Sequence, residues 1–298
     1  MNRTKTWIAA ARLRTLPLSV SGIIVGTAIA HSKGFFDITI FILALLTTIG
    51  FQVLSNFSND YGDGVKGTDN LDRVGPARAI QSGLISPQLM KKGIVLTTVI
   101  TLLFAILLIY KSFGIKHLNY TLIFFFLGIG AIVAAIKYTV GKSAYGYHGF
   151  GDLFVFIFFG LVSVLGSLFL YTKSLDFLAV LPAITVGFLS VAVLNLNNLR
   201  DMENDAKAGK RTLIVKLGRS MGVKYHFMLI IIAILSSIAY SYLTGAEKTI
   251  HFLYVLAFIP LIIHLIKVSK TKDLKALDPE LKKIALSTFL FAILFSFS

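Results

Sequence analysis

Two short polar stretches hold half of the acidic side chains in this otherwise apolar chain. Of fourteen Asp and Glu residues among 298, seven lie in these stretches. The first stretch contributes Asp60, Asp63, Asp69 and Asp72, and the second contributes Asp201, Glu203 and Asp205. Carboxylates that face one another repel unless a cation lies between them. The clustering therefore predicts a cation site to which both stretches contribute. The alternative, ordinary solvated loop charges, does not account for two matched clusters beside apolar segments.

The spacing of the polar residues indicates how they are presented. Asn59 precedes Asp63 by four residues, and Asn197, Asp201 and Asp205 repeat that step twice. Residues one helical turn apart share a face, so Asp201 and Asp205 can point into one cavity if their helix is continuous.

The first stretch has a second feature, which is its glycine content. Asp60 and Asp63 are three residues apart and can also share a helical face. Glycines at positions 62, 64 and 67 predict that the helix ends among them and opens into a loop.

The available donor atoms favour magnesium over other metals. The chain has no cysteine, and its six histidines show no ligand spacing, so a zinc or copper centre is not expected. Mg²⁺ keeps several waters and binds through a few carboxylates together with substrate phosphates. Bases follow each acidic stretch: Lys66, Arg73 and Arg78 after the first, and Lys207, Lys210 and Arg211 after the second. Acid followed by base, twice, is the arrangement expected for a metal-bridged diphosphate.

A third polar segment, KYTVGKSAYGYHGFGD at residues 137–152, carries three tyrosines, four glycines and two lysines. Lys142 can reach a phosphate, and Tyr138, Tyr145 and Tyr147 can line an aromatic or cationic intermediate. The alternative is a flexible re-entrant loop.

The elements that position these residues are predicted to be membrane helices. The chain is 56% hydrophobic and 14% charged with a mean hydropathy of +0.80, which a soluble domain cannot bury. Uncharged apolar runs predict nine spans near residues 16–32, 38–58, 93–110, 118–136, 153–172, 177–198, 225–243, 250–266 and 284–298. The first and last are short for the roughly 20 residues that a span needs.

The distribution of basic residues predicts the orientation. With the N-terminus in the cytoplasm, 24 of the 29 Lys and Arg residues lie on the cytoplasmic side and five on the other. The net charge of +15 thus reflects topology and attraction to membrane lipid, and no nucleic-acid partner is expected. We expect a single membrane-embedded domain over residues 1–298, with cytoplasmic active-site loops near 56–91, 137–152 and 197–224.

Taken together, these motifs resemble the UbiA superfamily of intramembrane prenyltransferases over nearly the whole chain. Several stretches are similar to the 1,4-dihydroxy-2-naphthoate polyprenyltransferase branch of menaquinone biosynthesis. They are NDYGDGVKGTD (59–69), DRVGPARAIQSG (72–83), YTVGKSAYGYHGFGD (138–152) and NNLRDMENDAKAGKRTL (197–213).

The resemblance implies an all-α bundle of nine spans around a central cavity, in a bacterial inner membrane with the active site facing the cytoplasm. It implies Mg²⁺-dependent transfer of a polyprenyl group from polyprenyl diphosphate to 1,4-dihydroxy-2-naphthoate, with loss of diphosphate and CO₂. On this basis we assign Asp60, Asp63, Asp201 and Asp205 to the metal, with Asn59 and Asn197 in support. The residues assigned to diphosphate are Arg78, Lys142, Arg211, Lys66 and Lys210, and Tyr138 is assigned to the aromatic or cationic side.

The chain departs from the superfamily pattern at one position. The general pattern has a further Asp four residues after Asp63, where this chain has Gly67; the next acid is Asp69. Asp69 is therefore a direct metal ligand, a water-mediated ligand or a loop acid. Two alternatives stay open: transfer to another acceptor such as 4-hydroxybenzoate, homogentisate or haem, and a cation or organic-anion transporter. A transporter predicts acids within the spans rather than at one face.

Overall fold

The computed structural model describes residues 3–69, 75, 77–245 and 249–298, and within these ranges the regular structure is entirely helical. Asp72 and Arg73 lie outside the described residues. The α-helices are α1 (Arg3–Ala11), α2 (Leu16–Ser32), α3 (Ile38–Lys66), α4 (Pro87–Phe113), α5 (Leu118–Lys137), α6 (Gly151–Val155), α7 (Ser163–Thr172), α8 (Val180–Arg200), α9 (Met202–Lys207), α10 (Leu213–Leu243), α11 (Ile259–Lys270) and α12 (Asp278–Phe295). A π-helical segment, Phe156–Val162, joins α6 to α7, and a 3₁₀ segment, Thr249–Phe258, precedes α11. The predicted all-helical membrane fold is confirmed.

Eight helical stretches of the described chain are long and apolar enough to cross a membrane. They are Thr4–Ser32, Ile38–Lys66, Pro87–Phe113, Leu118–Lys137, Gly151–Thr172, Val180–Arg200, Leu213–Leu243 and Ile250–Lys270. Each contains one of the first eight predicted spans, apart from a few terminal residues. The ninth predicted span overlaps α12, whose first six residues include four charged ones and leave a short apolar remainder. The count of nine and the cytoplasmic N-terminus stay predictions.

Helix α3 is longer than its sequence indicates. It continues through Gly62 and Gly64 to Lys66 and ends at Gly67, whose φ of +76° is accessible to glycine at little cost. The helix therefore ends at the last of the three glycines among which the sequence predicts its end, and Gly62 and Gly64 lie within it. Gly62 instead permits close packing, since a Cβ there would lie 2.5 Å from Oγ1 and 2.7 Å from the carbonyl carbon of Thr139.

Helix α8 ends one residue before the second acidic stretch. Asp201 has φ −96° and ψ 6°, and α9 begins at Met202, so the helix is not continuous through the acids. The backbone N–H of Asp205 nevertheless donates to the Asp201 carbonyl at 2.8 Å, which retains one turn between the two residues.

The contacts between backbone atoms divide the chain into two compact units. They do not test the prediction of a single domain over residues 1–298. The first unit comprises Met1–Leu16, Ile42–Gly151 and Asp201–Lys216. In it α1 packs against α3, with the ring centroids of Trp7 and Phe57 5.2 Å apart. Asn56 of α3 donates to the Ala11 carbonyl at 2.8 Å, so the N-terminal helix is anchored by a buried hydrogen bond.

The second unit comprises Pro17–Phe41, Asp152–Arg200 and Leu217–Ser298. A buried polar network joins four of its helices. The Nε2 atoms of His226 (α10) and His264 (α11) are 2.8 Å apart, and His264 Nδ1 lies 2.7 Å from Glu280 Oε2 (α12). His226 Nδ1 lies 3.1 Å from Asn195 Oδ1 on α8. Glu280 Oε1 also pairs with Lys267 Nζ at 2.9 Å.

Candidate metal and diphosphate site

Asp63 is held at the end of α3 by the turn that stops the helix. Past Gly67 the backbone turns back, and the N–H of Thr68 donates to the Asp63 carbonyl at 3.0 Å. The hydroxyl of Tyr147, from the segment between α5 and α6, donates to Asp63 Oδ1 at 2.8 Å. The Asp63 side chain is thus buried and oriented before any ligand binds.

The second acidic stretch lies in the same compact unit as Asp63. Asp201 and Asp205 are both buried, and Lys210 Nζ lies 3.5 Å from Asp205 Oδ1. Asn204 donates through Nδ2 to the carbonyl oxygen of Thr68 at 3.2 Å, which ties this stretch directly to the end of α3. The two stretches meet as the sequence predicts, although 138 residues separate Asp63 from Asp201.

Buried carboxylates and a buried lysine act on one another in this region. Burial raises the pKa of Asp205 to about 6; Lys210 opposes the shift, and the carboxylates of Asp201 and Asp63 add to it. Burial acts to lower the pKa of Lys210, but the carboxylates of Asp63 and Asp205 outweigh it and raise that pKa above its ordinary value. The carboxylates that raise the Lys210 pKa would also favour a bound cation beside them.

The polar atoms left without partners fit a hard cation. Asp205 Oδ2 and Asn204 Oδ1 are buried and have no hydrogen-bond partner. Across the described ranges, no three His, Asp or Glu side chains converge closely enough to hold a metal ion by themselves. Oxygen donors contributed singly suit Mg²⁺, which completes its coordination with water and substrate phosphate oxygens.

The basic residues assigned to diphosphate lie at different distances from this centre. Lys66 Nζ lies 3.8 Å from the centroid of the Tyr147 ring, and Lys210 lies on the same ring at 5.7 Å. The backbone N–H of Arg211 donates to the Tyr147 carbonyl at 3.0 Å, which brings Arg211 to the same segment. Lys142 is exposed and lies five residues before Tyr147 in the 137–152 segment.

Arg78 and Asp69 form an ion pair, with Nε and Oδ2 3.7 Å apart and both side chains largely buried. This contact agrees with a loop role for Asp69 and does not exclude the two metal-ligand roles, so the three possibilities stay open. The pair draws the Arg78 segment back toward the end of α3.

Asp60 holds the same Arg78 segment by a second route. Its Oδ2 accepts the backbone N–H of Ala79 at 3.0 Å, and its Oδ1 accepts that of Ile80 at 3.2 Å. A carboxylate whose two oxygens cap a loop has less capacity for a metal. The assignment of Asp60 to the metal stays a prediction, and the structure gives this residue a loop-anchoring contact that sequence does not reveal.

The remaining assigned residues make side-chain contacts of their own. Asn59 Oδ1 accepts a hydrogen bond from Thr139 Oγ1 at 3.3 Å, and the Tyr138 ring packs against Tyr145 with centroids 5.4 Å apart. Asn197 lies in the second unit, where its Oδ1 accepts from Arg200 Nη2 at 2.8 Å.

Sequence reasoning misses two residues that bring this region together, Thr68 and Asn204. It names Tyr147 only as one of three ring-bearing candidates. The one sequence feature that points to Tyr147 is the density of tyrosine and glycine in the 137–152 segment. This density indicates a loop, but it does not indicate which residues the tyrosines contact.

Comparison with known proteins places the chain in a family. The sequence profile of the UbiA prenyltransferase family matches residues 19–293. The chain is 45% identical over 299 aligned residues to the 1,4-dihydroxy-2-naphthoate octaprenyltransferase of Haemophilus influenzae, covering 99% of this chain and 95% of the relative. It is 36% identical to the protein of the same name from Mycobacterium tuberculosis, covering 71% of this chain and 70% of the relative.

Solved structures share the fold. A UbiA homologue from Aeropyrum pernix K1 superposes with a TM-score of 0.69 at 15% identity, covering 93% of this chain and 97% of the other. A UbiA homologue from Archaeoglobus fulgidus, solved with DMAPP and Mg²⁺, gives a TM-score of 0.65 at 17% identity, covering 98% and 99%. The family profile and the close relatives agree with the motifs read from the sequence, and this chain belongs to the UbiA prenyltransferase family.

Proposed function

We propose that this protein transfers a polyprenyl group from polyprenyl diphosphate to 1,4-dihydroxy-2-naphthoate and so forms demethylmenaquinol, the reduced form of demethylmenaquinone. The observation that carries the proposal is the contact between the two acidic stretches: Asn204 donates to the Thr68 carbonyl at the end of α3, and Asp205 pairs with the buried ammonium of Lys210. The relatives that align over most of their length and carry the name 1,4-dihydroxy-2-naphthoate octaprenyltransferase support the choice of acceptor.

The metal in this proposal is Mg²⁺, held by Asp63, Asp201 and Asp205 with Asn59 in support. The roles of Asp60 and Asn197 at the metal stay predictions from the sequence. When bound, Mg²⁺ neutralises the charge that develops on the departing diphosphate. The unpartnered Asp205 Oδ2 supports a cation at this position, because a buried carboxylate oxygen without a donor is costly to maintain.

Basic side chains provide the remaining diphosphate contacts. We assign Lys66, Lys210, Arg211, Arg78 and Lys142 to the diphosphate oxygens. As the carbon–oxygen bond of the donor breaks, its electron pair passes to diphosphate, and positive side chains already in place stabilise that charge without reorganisation.

The aromatic side chains act on the prenyl fragment of the donor. Tyr138, packed edge-on against Tyr145, supplies an electron-rich face to the allylic carbon as it becomes positively charged. A lining of this kind also keeps water from capturing the carbon before the naphthoate ring attacks it. The new carbon–carbon bond joins the prenyl carbon to that ring, and the acceptor carboxylate leaves as CO₂.

We place the enzyme in a bacterial inner membrane with this site on the cytoplasmic side. The excess of Lys and Arg in the cytoplasmic segments of the predicted topology, 24 against five, supports the orientation.

An acceptor panel tests the proposal. Membranes containing the protein receive an all-trans polyprenyl diphosphate, Mg²⁺, and either 1,4-dihydroxy-2-naphthoate or 4-hydroxybenzoate, and the products are identified by mass. We expect the decarboxylated prenyl naphthoquinol from the first acceptor, and no product from membranes carrying Asp63→Asn. If prenylated 4-hydroxybenzoate forms and no naphthoate product does, the proposed acceptor is wrong and 4-hydroxybenzoate takes its place.

A further inference from the structure

The Tyr147 hydroxyl lies in a chain of hydrogen bonds in which the donor and the acceptor of each bond can be assigned. An ionised carboxylate only accepts, so Tyr147 must donate its single O–H proton to Asp63 Oδ1, 2.8 Å away. The 2.6 Å contact between Tyr147 and Thr68 Oγ1 then has Thr68 as the donor. The order is Thr68 to Tyr147 to Asp63.

The same two residues reach the second acidic stretch. The Thr68 carbonyl oxygen accepts from Asn204 Nδ2 at 3.2 Å, and the Tyr147 carbonyl oxygen accepts from the Arg211 N–H at 3.0 Å. Because a carbonyl oxygen can only accept, the Asn204 amide must present its Nδ2 to Thr68. Its Oδ1 is thereby left buried beside the acidic stretch without a partner.

The Tyr147 ring contributes separately from its hydroxyl. Lys66 Nζ lies 3.8 Å from the ring centroid and Lys210 Nζ lies 5.7 Å from it. The ring faces of aromatic residues attract ammonium groups, so Tyr147 holds both lysines near Asp63. A phenylalanine would keep this contact and lose only the hydroxyl.

We propose that Tyr147 is a positioning residue for the metal: its hydroxyl fixes the Asp63 carboxylate, and the bridge through Thr68 and Asn204 sets the spacing of the two acidic stretches. This inference rests on the proposed function. Fixing Oδ1 orients the whole carboxylate, so the second oxygen is presented to the cation without rearrangement. Groups that orient metal ligands in this way change metal affinity by roughly 10–100-fold when they are removed.

The test compares Tyr147→Phe with Tyr145→Phe in the full-length protein purified in detergent. Tyr145 lies on the same segment, but its hydroxyl donates to the Ala134 carbonyl at 2.9 Å and leaves Asp63 untouched. Mn²⁺ binding is followed by electron paramagnetic resonance with inorganic diphosphate present and no acceptor. Prenyl transfer is then measured as a function of Mg²⁺ concentration.

For Tyr147→Phe we expect a roughly 10–100-fold weaker Mn²⁺ affinity and a matching rise in the Mg²⁺ needed for half-maximal rate. At saturating Mg²⁺ the rate should recover to within several-fold of the wild type, and the melting temperature should match that of Tyr145→Phe. Tyr145→Phe should leave both metal measurements unchanged. Thr68→Val should weaken metal binding and Thr68→Ser should restore it, because serine keeps the donor.

Two results from the variants overturn the inference while leaving the proposed function in place. One is wild-type metal affinity in Tyr147→Phe. The other is an equal loss of affinity in Tyr147→Phe and Tyr145→Phe, which would indicate general loosening of the segment. A wild-type protein that binds no Mn²⁺ removes the proposed metal chemistry and this inference with it. Normal Mn²⁺ binding without naphthoate transfer removes only the proposed acceptor.

Discussion

Replacing Gly62 by alanine tests how α3 supports the site. An added Cβ would lie 2.5 Å from Oγ1 and 2.7 Å from the carbonyl carbon of Thr139, well inside normal contact distances. The neighbour that must move is backbone, so the segment after α5 has to shift away from α3. That shift would break the hydrogen bonds from Thr139 Oγ1 to the Ser58 carbonyl (3.0 Å) and to Asn59 Oδ1 (3.3 Å).

The magnitude follows from two opposing effects. Overpacking a close contact costs about 1–3 kcal/mol, whereas alanine in place of glycine within a helix returns about 1 kcal/mol. The two Thr139 contacts share a single hydroxyl proton, so their loss adds about 1 kcal/mol to the cost. We expect Gly62→Ala to be destabilised by about 1–3 kcal/mol overall and to lose tenfold or more in kcat/KM, because the shifted segment carries Tyr138 and Tyr147.

The matched control is Gly64→Ala, two residues later in the same helix. Its Cβ would meet a side-chain methyl, Ile80 Cγ2 at 2.7 Å, and that group can rotate or retreat. Thermal unfolding in detergent and kcat/KM in membranes are measured for both variants. Full activity with an unchanged or raised melting temperature in Gly62→Ala would refute the reasoning. So would a larger loss in Gly64→Ala.

Three further predictions follow from the same contacts. Burial raises the Asp205 pKa to about 6, so the acid holds a proton below that pH. Mg²⁺ affinity, followed by thermal shift, should therefore fall about tenfold per pH unit below 6 and level off above 7; equal affinity at pH 5 and 7.5 would contradict this. Glu280→Leu leaves the buried His264 donor unpaired and should cost about 1–3 kcal/mol in unfolding measurements, whereas Lys272→Ala, at an exposed lysine, should cost almost nothing. Asp60→Ala frees the backbone amides after Arg78 and should raise KM for the polyprenyl diphosphate more than it lowers kcat; an unchanged KM would show that the loop is held by other contacts.

The convergence of the two acidic stretches was predictable because both contain the same step of four residues. This spacing is a local property that can be read from the sequence. Asn59, Asp63, Asp201 and Asp205 are each four residues from another member, and the predicted topology assigns both stretches to the same membrane face. The structure brings the two stretches into contact through Asn204 and Thr68, as this pattern indicates.

Other features depend on contacts between distant residues, and sequence periodicity carries no information about them. Gly62 looks like a helix terminator, but it is a close-packing position whose partner, Thr139, lies 77 residues away. The Tyr147 hydroxyl donates to Asp63, which is 84 residues away in the sequence, and the His226 ring contacts His264, which is 38 residues away. Scattered polar residues of this kind have no local signature, so only the folded chain shows that they are paired.

The central claim is that both acidic stretches act on one diphosphate through Mg²⁺. Its most direct test is prenyl transfer to 1,4-dihydroxy-2-naphthoate by wild-type, Asp63→Ala and Asp201→Ala protein, each shown by thermal unfolding to be folded and by fractionation to be in the membrane. The account predicts Mg²⁺-dependent product from the wild type, and no turnover from either variant or from the wild type in excess chelator. Full activity in either variant, or in chelator, would contradict it.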